Sequence, residues 1–139
     1  MDDRDIVLDA WPVMVWLKGQ EPAAGRVRAL LEASGRGERR LLMNIVNLGE
    51  VFYLSVKARD LGYGQQVLET LRPRMTVLPA HDDLVMLSAA LKARHPISYA
   101  EGFAIATALL QDAPLATGDP EIRAVAATEA RLRLEWLGR

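Results

Sequence analysis

Short apolar runs alternate with longer stretches of helical periodicity along the whole chain. Residues 5–9, Asp-Ile-Val-Leu-Asp, predict a buried strand with Asp9 at its C-terminal end. Ala10 to Lys18 predicts a short helix with Pro12 in its first turn. Gly19-Gln20-Glu21-Pro22 is a turn, after which Val27, Leu30 and Leu31 mark an amphipathic helix from Ala23 to about Ser34. Residues 35–40, rich in Gly and Arg, read as a solvated basic loop. Leu41-Leu42-Met43 predicts the second strand, and Asn44 caps a helix reaching about Arg59.

Leu61-Gly62-Tyr63-Gly64 reads as a break, followed by a helix from Gln65 to Leu71 that Arg72-Pro73 closes. Met75 to Leu78 predicts a third strand. Asp82 is the candidate cap for a helix through about Arg94; Pro96 stops it, and Ser98 starts the next, to about Gln111. Pro114 to Thr117 predicts a fourth strand, Gly118 to Glu121 a turn into a short helix, and Leu132 to Trp136 an edge strand. Strands alternating with helices predict an α/β domain with a mostly parallel sheet covered on both faces. No repeat, low-complexity tract or long linker divides the chain, so residues 1–139 are expected to form a single domain.

Composition narrows the chemistry. The chain has 139 residues, half hydrophobic and a quarter charged, a globular balance. A net charge of −1 means that no whole-molecule field attracts nucleic acid, so RNA binding would need a local patch. The absence of cysteine excludes disulfides, zinc ribbons and thiol nucleophiles, and His81 and His95 are too few for a His-rich metal site. The apolar runs fall far short of the ~20 residues of a membrane helix. The charged start, Asp2-Asp3-Arg4-Asp5, does not read as a signal peptide, and the cytoplasm is the expected location.

The acids carry the strongest functional signal. Ligands of open α/β sheets collect at the C-terminal ends of the strands, where Asp9 and Asp119 are expected. Singly, either could be an ordinary turn or helix cap. Glu50 has Val46, Asn47, Tyr53 and Leu54 at helical i±3 and i±4 spacing, and Glu101 has Ile97, Ser98, Ala104 and Ile105. A carboxylate on so apolar a face needs compensation, from an arginine or from a cation shared with other acids. Clustered carboxylates stay ionised together only around such a cation. Oxygen donors suit Mg²⁺ or Mn²⁺, which can activate water for phosphoryl chemistry. Spacings of 41, 51 and 18 residues do not by themselves establish convergence.

The segments Ile6-Val7-Leu8-Asp9, Asn47-Leu48-Gly49-Glu50-Val51, His95-Pro96-Ile97-Ser98-Tyr99-Ala100-Glu101 and Thr117-Gly118-Asp119-Pro120-Glu121 resemble the four acidic motifs of PIN-domain ribonucleases, in order and over nearly the whole chain. The nearest resemblance is to the VapC toxins of bacterial toxin–antitoxin pairs. It implies a three-layer α/β/α sandwich with about five parallel strands, and a Mg²⁺- or Mn²⁺-dependent endoribonuclease. Asp9, Glu50, Glu101 and Asp119 match the family's metal and water-activating positions, and Thr117 matches a hydroxyl position. Glu121 is either a further contact or an ordinary first-turn acid. A homodimer and a cognate antitoxin whose peptide segment blocks the site are also implied.

Two residues depart from the family pattern. Trp11 stands where a Ser or Thr is usual, and Glu101 where Asp is usual. These departures keep open a second reading, a catalytically weak or inactive PIN-like module that binds RNA or protein. A third class, a receiver-like phosphoacceptor, requires an acidic pair after the first strand and a lysine after the last; Asp9 stands alone, and Arg139 follows the last strand. Arg36, Arg39, Arg40, Lys92 and Arg94 are candidate phosphate contacts, although charged loops and helix ends are ordinarily just solvated. His95 is expected to close its helix. Trp11, Trp16, Phe52, Tyr53 and Phe103 are expected in the core or a dimer contact, with base stacking as the alternative.

Overall fold

Alternation along the strands sets the layering. In the computed structural model, which describes residues 2–139, the strands are β1 (Asp5–Leu8), β2 (Arg40–Asn44), β3 (Thr76–Leu78), β4 (Leu115–Thr117) and β5 (Leu134–Trp136). All pair in parallel, in the order β3-β2-β1-β4-β5. Ile6, Leu8, Leu41 and Met43 point into one core, and Val7, Leu42 and Leu115 into another on the opposite face. This is the three-layer α/β/α sandwich with five parallel strands that the motifs imply. Met1 lies outside the described residues.

The helices follow from the hand of the crossovers. Helices α1 (Ala10–Lys18), α2 (Ala23–Gly35), α3 (Ile45–Ala58) and α4 (Leu61–Leu71) carry the chain outward from β1 to β3. Helices α5 (Asp82–Arg94), α6 (Tyr99–Gln111) and α7 (Pro120–Ala126) carry it back past β1 to β4 and β5. Parallel crossovers keep a right hand, so a reversal of direction moves the connecting helices to the other face. Accordingly, Val13, Val27, Leu48 and Val67 pack in the first core, and Leu91, Phe103, Ile105 and Ile122 in the second.

Polar contacts pin the two ends of the sheet. At the N-terminal edge, Asp5 and Arg40 are register partners, and the guanidinium grips the buried carboxylate with two bonds of 2.6 and 2.8 Å. At the C-terminal end of β2, Asn44 is fully buried. Its Oδ1 accepts from the Asn47 backbone as the cap of α3, as expected from sequence. Its Nδ2 donates to Asn47 Oδ1, Thr107 Oγ1 and the Phe103 carbonyl, and Asn47 Nδ2 donates to the Ala100 carbonyl. This pair of amides rivets the first turn of α3 to α6.

Two local expectations are corrected. The segment Leu61–Gly64 is the first turn of α4 rather than a break, because Asp60 caps it by accepting from the Tyr63 N–H. Gly64 also lies so close to Phe52 and Val56 of α3 that a Cβ there would be crowded, so packing explains a residue that local propensity penalises. The cap position of α5 is His81, not Asp82, with no side-chain cap bond; Asp82 occupies the first turn, where its charge suits the helix dipole.

Replacing Asn44 by Ala removes a helix cap and strands several buried partners. A loss of about 2–4 kcal/mol is expected, read as a lowered urea midpoint with the slope unchanged. Asn44→Asp keeps the cap acceptor but sets a buried carboxylate against the Asn47 Oδ1 and Phe103 carbonyl acceptors, so at neutral pH it should lose at least as much as Asn44→Ala.

Candidate metal centre

The order of the sheet reverses between β1 and β4, and a crevice opens where the two strands end. Asp9 leaves β1 there as the residue before α1, and Asp119 leaves β4 as the residue before α7. Glu50 enters from α3 and Glu101 from the first turn of α6. All four line one cavity of about 690 Å³, together with Glu121. The residues singled out as chemical in the sequence are thus brought to one place.

Thr117 lies beneath them, fully buried. Because β1 and β4 are neighbours, its hydroxyl reaches across the seam and donates to Asp9 Oδ2 at 3.0 Å, while accepting from the Asp119 N–H at 3.1 Å. Asp119 Oδ1 accepts from the Glu121 N–H, so that loop is closed on itself. Trp11, at the position where the related motif carries a hydroxyl, lays its ring edge against Gly118; a Cβ at Gly118 would overlap the indole. The hydroxyl that holds Asp9 therefore comes from β4.

The electrostatics mark an unfinished site. Asp9 is only 5% exposed, and its Oδ1 has no hydrogen-bond partner. Burial pushes its pKa up to about 8; the Thr117 bond opposes this, and the charges of Asp119 and Glu50 add to it. Glu101 is also pushed up to about 8, by burial and by its hydrogen bond with Asp119, against the Ser98 N–H. Burial likewise raises Glu50, with an opposing hydrogen bond from Asn47. Glu101 has a second role: it forms a capping box with Ser98, its Oε1 accepting from the Ser98 N–H at 2.7 Å. The Ser-x-x-Glu spacing of residues 98–101 carries that signal in the sequence.

Among the described residues, no three His, Cys, Asp or Glu side chains form a ready-made cage for an ion. The donor set nevertheless fits Mg²⁺ or Mn²⁺. Such hard ions take oxygen ligands, and Mg²⁺ commonly uses one or two carboxylates and keeps several waters. The orphaned, buried Asp9 Oδ1 is the atom that most needs a cation.

Positive groups near the cavity differ from those expected. Lys18 and Lys57 line it, at i+7 from Trp11 on α1 and from Glu50 on α3. The basic loop lies instead at the N-terminal edge of the sheet, with Arg36 bonded to Glu38, Arg39 to Glu135 and Arg40 to Asp5. Arg94 pairs with Glu129, and Lys92 donates to the Ile97 carbonyl. His95 closes α5 as expected and contacts Glu129.

Residues 6–128 match the sequence model of the PIN domain. The chain belongs to the PIN domain family. Solved structures with the same fold include a DNA-bound VapBC from Salmonella typhimurium, at TM-score 0.71 and 14% identity, covering 96% of this chain and 98% of that one. VapBC2 from Rickettsia felis, bound to a promoter DNA fragment, gives TM-score 0.70 at 15% identity over 94% and 97% of the two chains. Mycobacterium tuberculosis VapC20, described as a sarcin-ricin loop cleaving toxin, gives 0.69 at 13% identity over 86% and 94%. At such identities the likeness is one of fold. No curated protein matches the sequence. Among the described residues, no helix of this PIN domain is long and apolar enough to cross a membrane.

The raised acids make stability depend on pH. Charging Asp9 costs more in the folded than in the unfolded chain, so the metal-free protein should lose stability as pH rises from about 4 to about 8. Asp9→Asn should flatten that slope and raise the metal-free Tm at pH 8 by about 5 °C or more. Mn²⁺ should raise the wild-type Tm at pH 8 and leave Asp9→Asn nearly unmoved. A wild-type Tm independent of both pH and Mn²⁺ would contradict this account.

Proposed function

We propose that this PIN domain is a metal-dependent endoribonuclease and the toxin of a toxin–antitoxin pair. The observation that carries the reading is the orphaned, buried carboxylate oxygen of Asp9, on a residue that lines one cavity with Glu50, Glu101 and Asp119 where the sheet reverses. Asp9 and Asp119 would hold Mg²⁺ or Mn²⁺, with Glu50 and Glu101 completing the acidic site. Bound there, such an ion activates water and offsets charge on a phosphoryl oxygen during in-line attack.

The chain's own groups have separate parts. Thr117 fixes the Asp9 carboxylate through Oδ2 and leaves Oδ1 buried without a partner. Glu101, pushed up to about 8, can take or return a proton near neutral pH, and burial raises Glu50 as well. Lys18 and Lys57 stand where they can hold phosphates flanking the cut, which acids alone would repel. The likeness to VapBC structures supports an antitoxin partner, and the exposed Tyr53 and Leu61 offer apolar surface for a homodimer or that partner. The cytoplasm is the location such a toxin requires.

One observation favours the alternative of a non-catalytic RNA- or protein-binding module. Glu101 already spends one oxygen on its own helix cap, and no three acids form a cage among the described residues. Calorimetric titration with Mn²⁺ separates the readings: absent binding, with RNA or antitoxin binding retained, favours the module.

The nuclease reading predicts that structured and single-stranded RNAs are cut in Mg²⁺ or Mn²⁺ and spared in chelator. Asp9→Ala should lower the rate at least ~100-fold, as expected when an ion-holding group is lost. RNA left intact by the wild-type protein with both metals would sink the claim of activity.

A further inference from the structure

Beyond the acidic cavity lies a second one that the proposed chemistry does not use. It measures about 530 Å³ and sits between α1, the turn after it and the end of the chain. Its walls include Trp11, Pro22 and Leu137, with Gly118 at its base. That volume falls in the ~300–1,000 Å³ range of small-molecule sites.

Trp11, Val15 and Gln20 line both cavities. Trp11 is therefore a shared wall between the acidic cavity and a hollow of mixed lining, in which Glu21 and Arg139 are the charged members. Its ring edge is seated on Gly118, next to Asp119, so the wall is fixed relative to the acids. Gln20 is exposed, so its side-chain amide is open to solvent. Such an amide offers donors and an acceptor in one plane.

We infer that the hollow behind Trp11 is a nucleobase subsite, which takes the unstacked base beside the scissile phosphate of a single-stranded RNA. The inference rests on the nuclease reading and deepens it. A base leaving the strand needs a flat apolar surface to replace its lost stacking, and an aromatic face supplies it. Specificity needs a polar group at the edge of that surface, where Gln20 stands. Pro22 and Leu137 add apolar surface to the lining of the hollow. Trp11 thereby acquires a use that a hydroxyl at that position could not serve.

The test uses the full chain, Mn²⁺ and a single-stranded RNA library of randomised sequence, with the cut ends sequenced. Wild type should show a base preference at one position flanking the cut. Gln20→Ala should flatten that preference while retaining cleavage. Trp11→Ala should lower kcat/KM at the preferred site by about 5- to 150-fold, mainly through KM, and Trp11→Phe should recover part of it. Calorimetric Mn²⁺ affinity, unchanged in Gln20→Ala and Trp11→Phe, separates base binding from damage to the acidic site. Cleavage with the same flanking preference in wild type, Gln20→Ala and Trp11→Ala overturns the subsite and leaves the nuclease reading standing. No cleavage by wild type overturns both.

Discussion

A hydroxyl reaching across the seam between β1 and β4 governs the site. Thr117 is a residue of the sheet, yet its Oγ1 both donates to Asp9 and accepts from the Asp119 backbone. Two acids from distant parts of the chain are thereby referred to one atom. The bond satisfies only half of the Asp9 carboxylate, and desolvation outweighs it, as the raised pKa shows. The surrounding structure bears this cost because Ile6, Val7, Leu8, Leu115 and Ala116 are all but inaccessible to water, and their burial holds the strands together. A carboxylate whose charge the fold does not solvate is left half-satisfied beside an acidic cavity, an arrangement that a hard cation would relieve.

The second constraint is the handedness of the crossovers. It sends α1–α4 to one face and α5–α7 to the other, and the reversal leaves a crevice between the two groups. Glu50 and Glu101 reach that crevice from α3 and α6. Asn44 and Asn47 join those helices with a chain of buried amide bonds. Buried amides are costly unless satisfied, so a satisfied set specifies one helix placement over its neighbours. The positions of Glu50 and Glu101 therefore rest on two helices joined by buried hydrogen bonds.

Charge is distributed against a simple electrostatic picture of nucleic-acid binding. The chain is near neutral, its cavity is acidic, and its arginine-rich loop lies at the other end of the strands in ion pairs. Under the proposed function, attraction for a polyanion would come from Lys18 and Lys57 on the cavity wall and from a cation held by the acids. Exposed ion pairs such as Arg36–Glu38 contribute little to stability, whereas the two-pronged Arg40–Asp5 pair, with Asp5 buried, fixes the β1–β2 register.

The sequence by itself determined the elements. Ile6-Val7-Leu8 and Leu41-Leu42-Met43 are apolar on both faces and read as interior strands, and Asn44 and Ser98 announce the helices they cap. The acids, too, could be placed at strand ends and on helix faces, since both depend on local period. The tertiary structure alone decided what meets what. Thr117 bonds Asp9 because β4 pairs with β1, a neighbour that no local pattern announces. The α4 helix begins at Leu61 because Asp60 caps it and α3 packs against Gly64, against local propensity. The arginines of residues 36–40 are engaged because their partners lie on the same loop or on β1 and β5. Residue patterns record how each segment meets water, whereas strand order and crossover hand follow from pairings distant in the chain. The acidic site, the lysines on its wall and the hollow behind Trp11 belong to that second level.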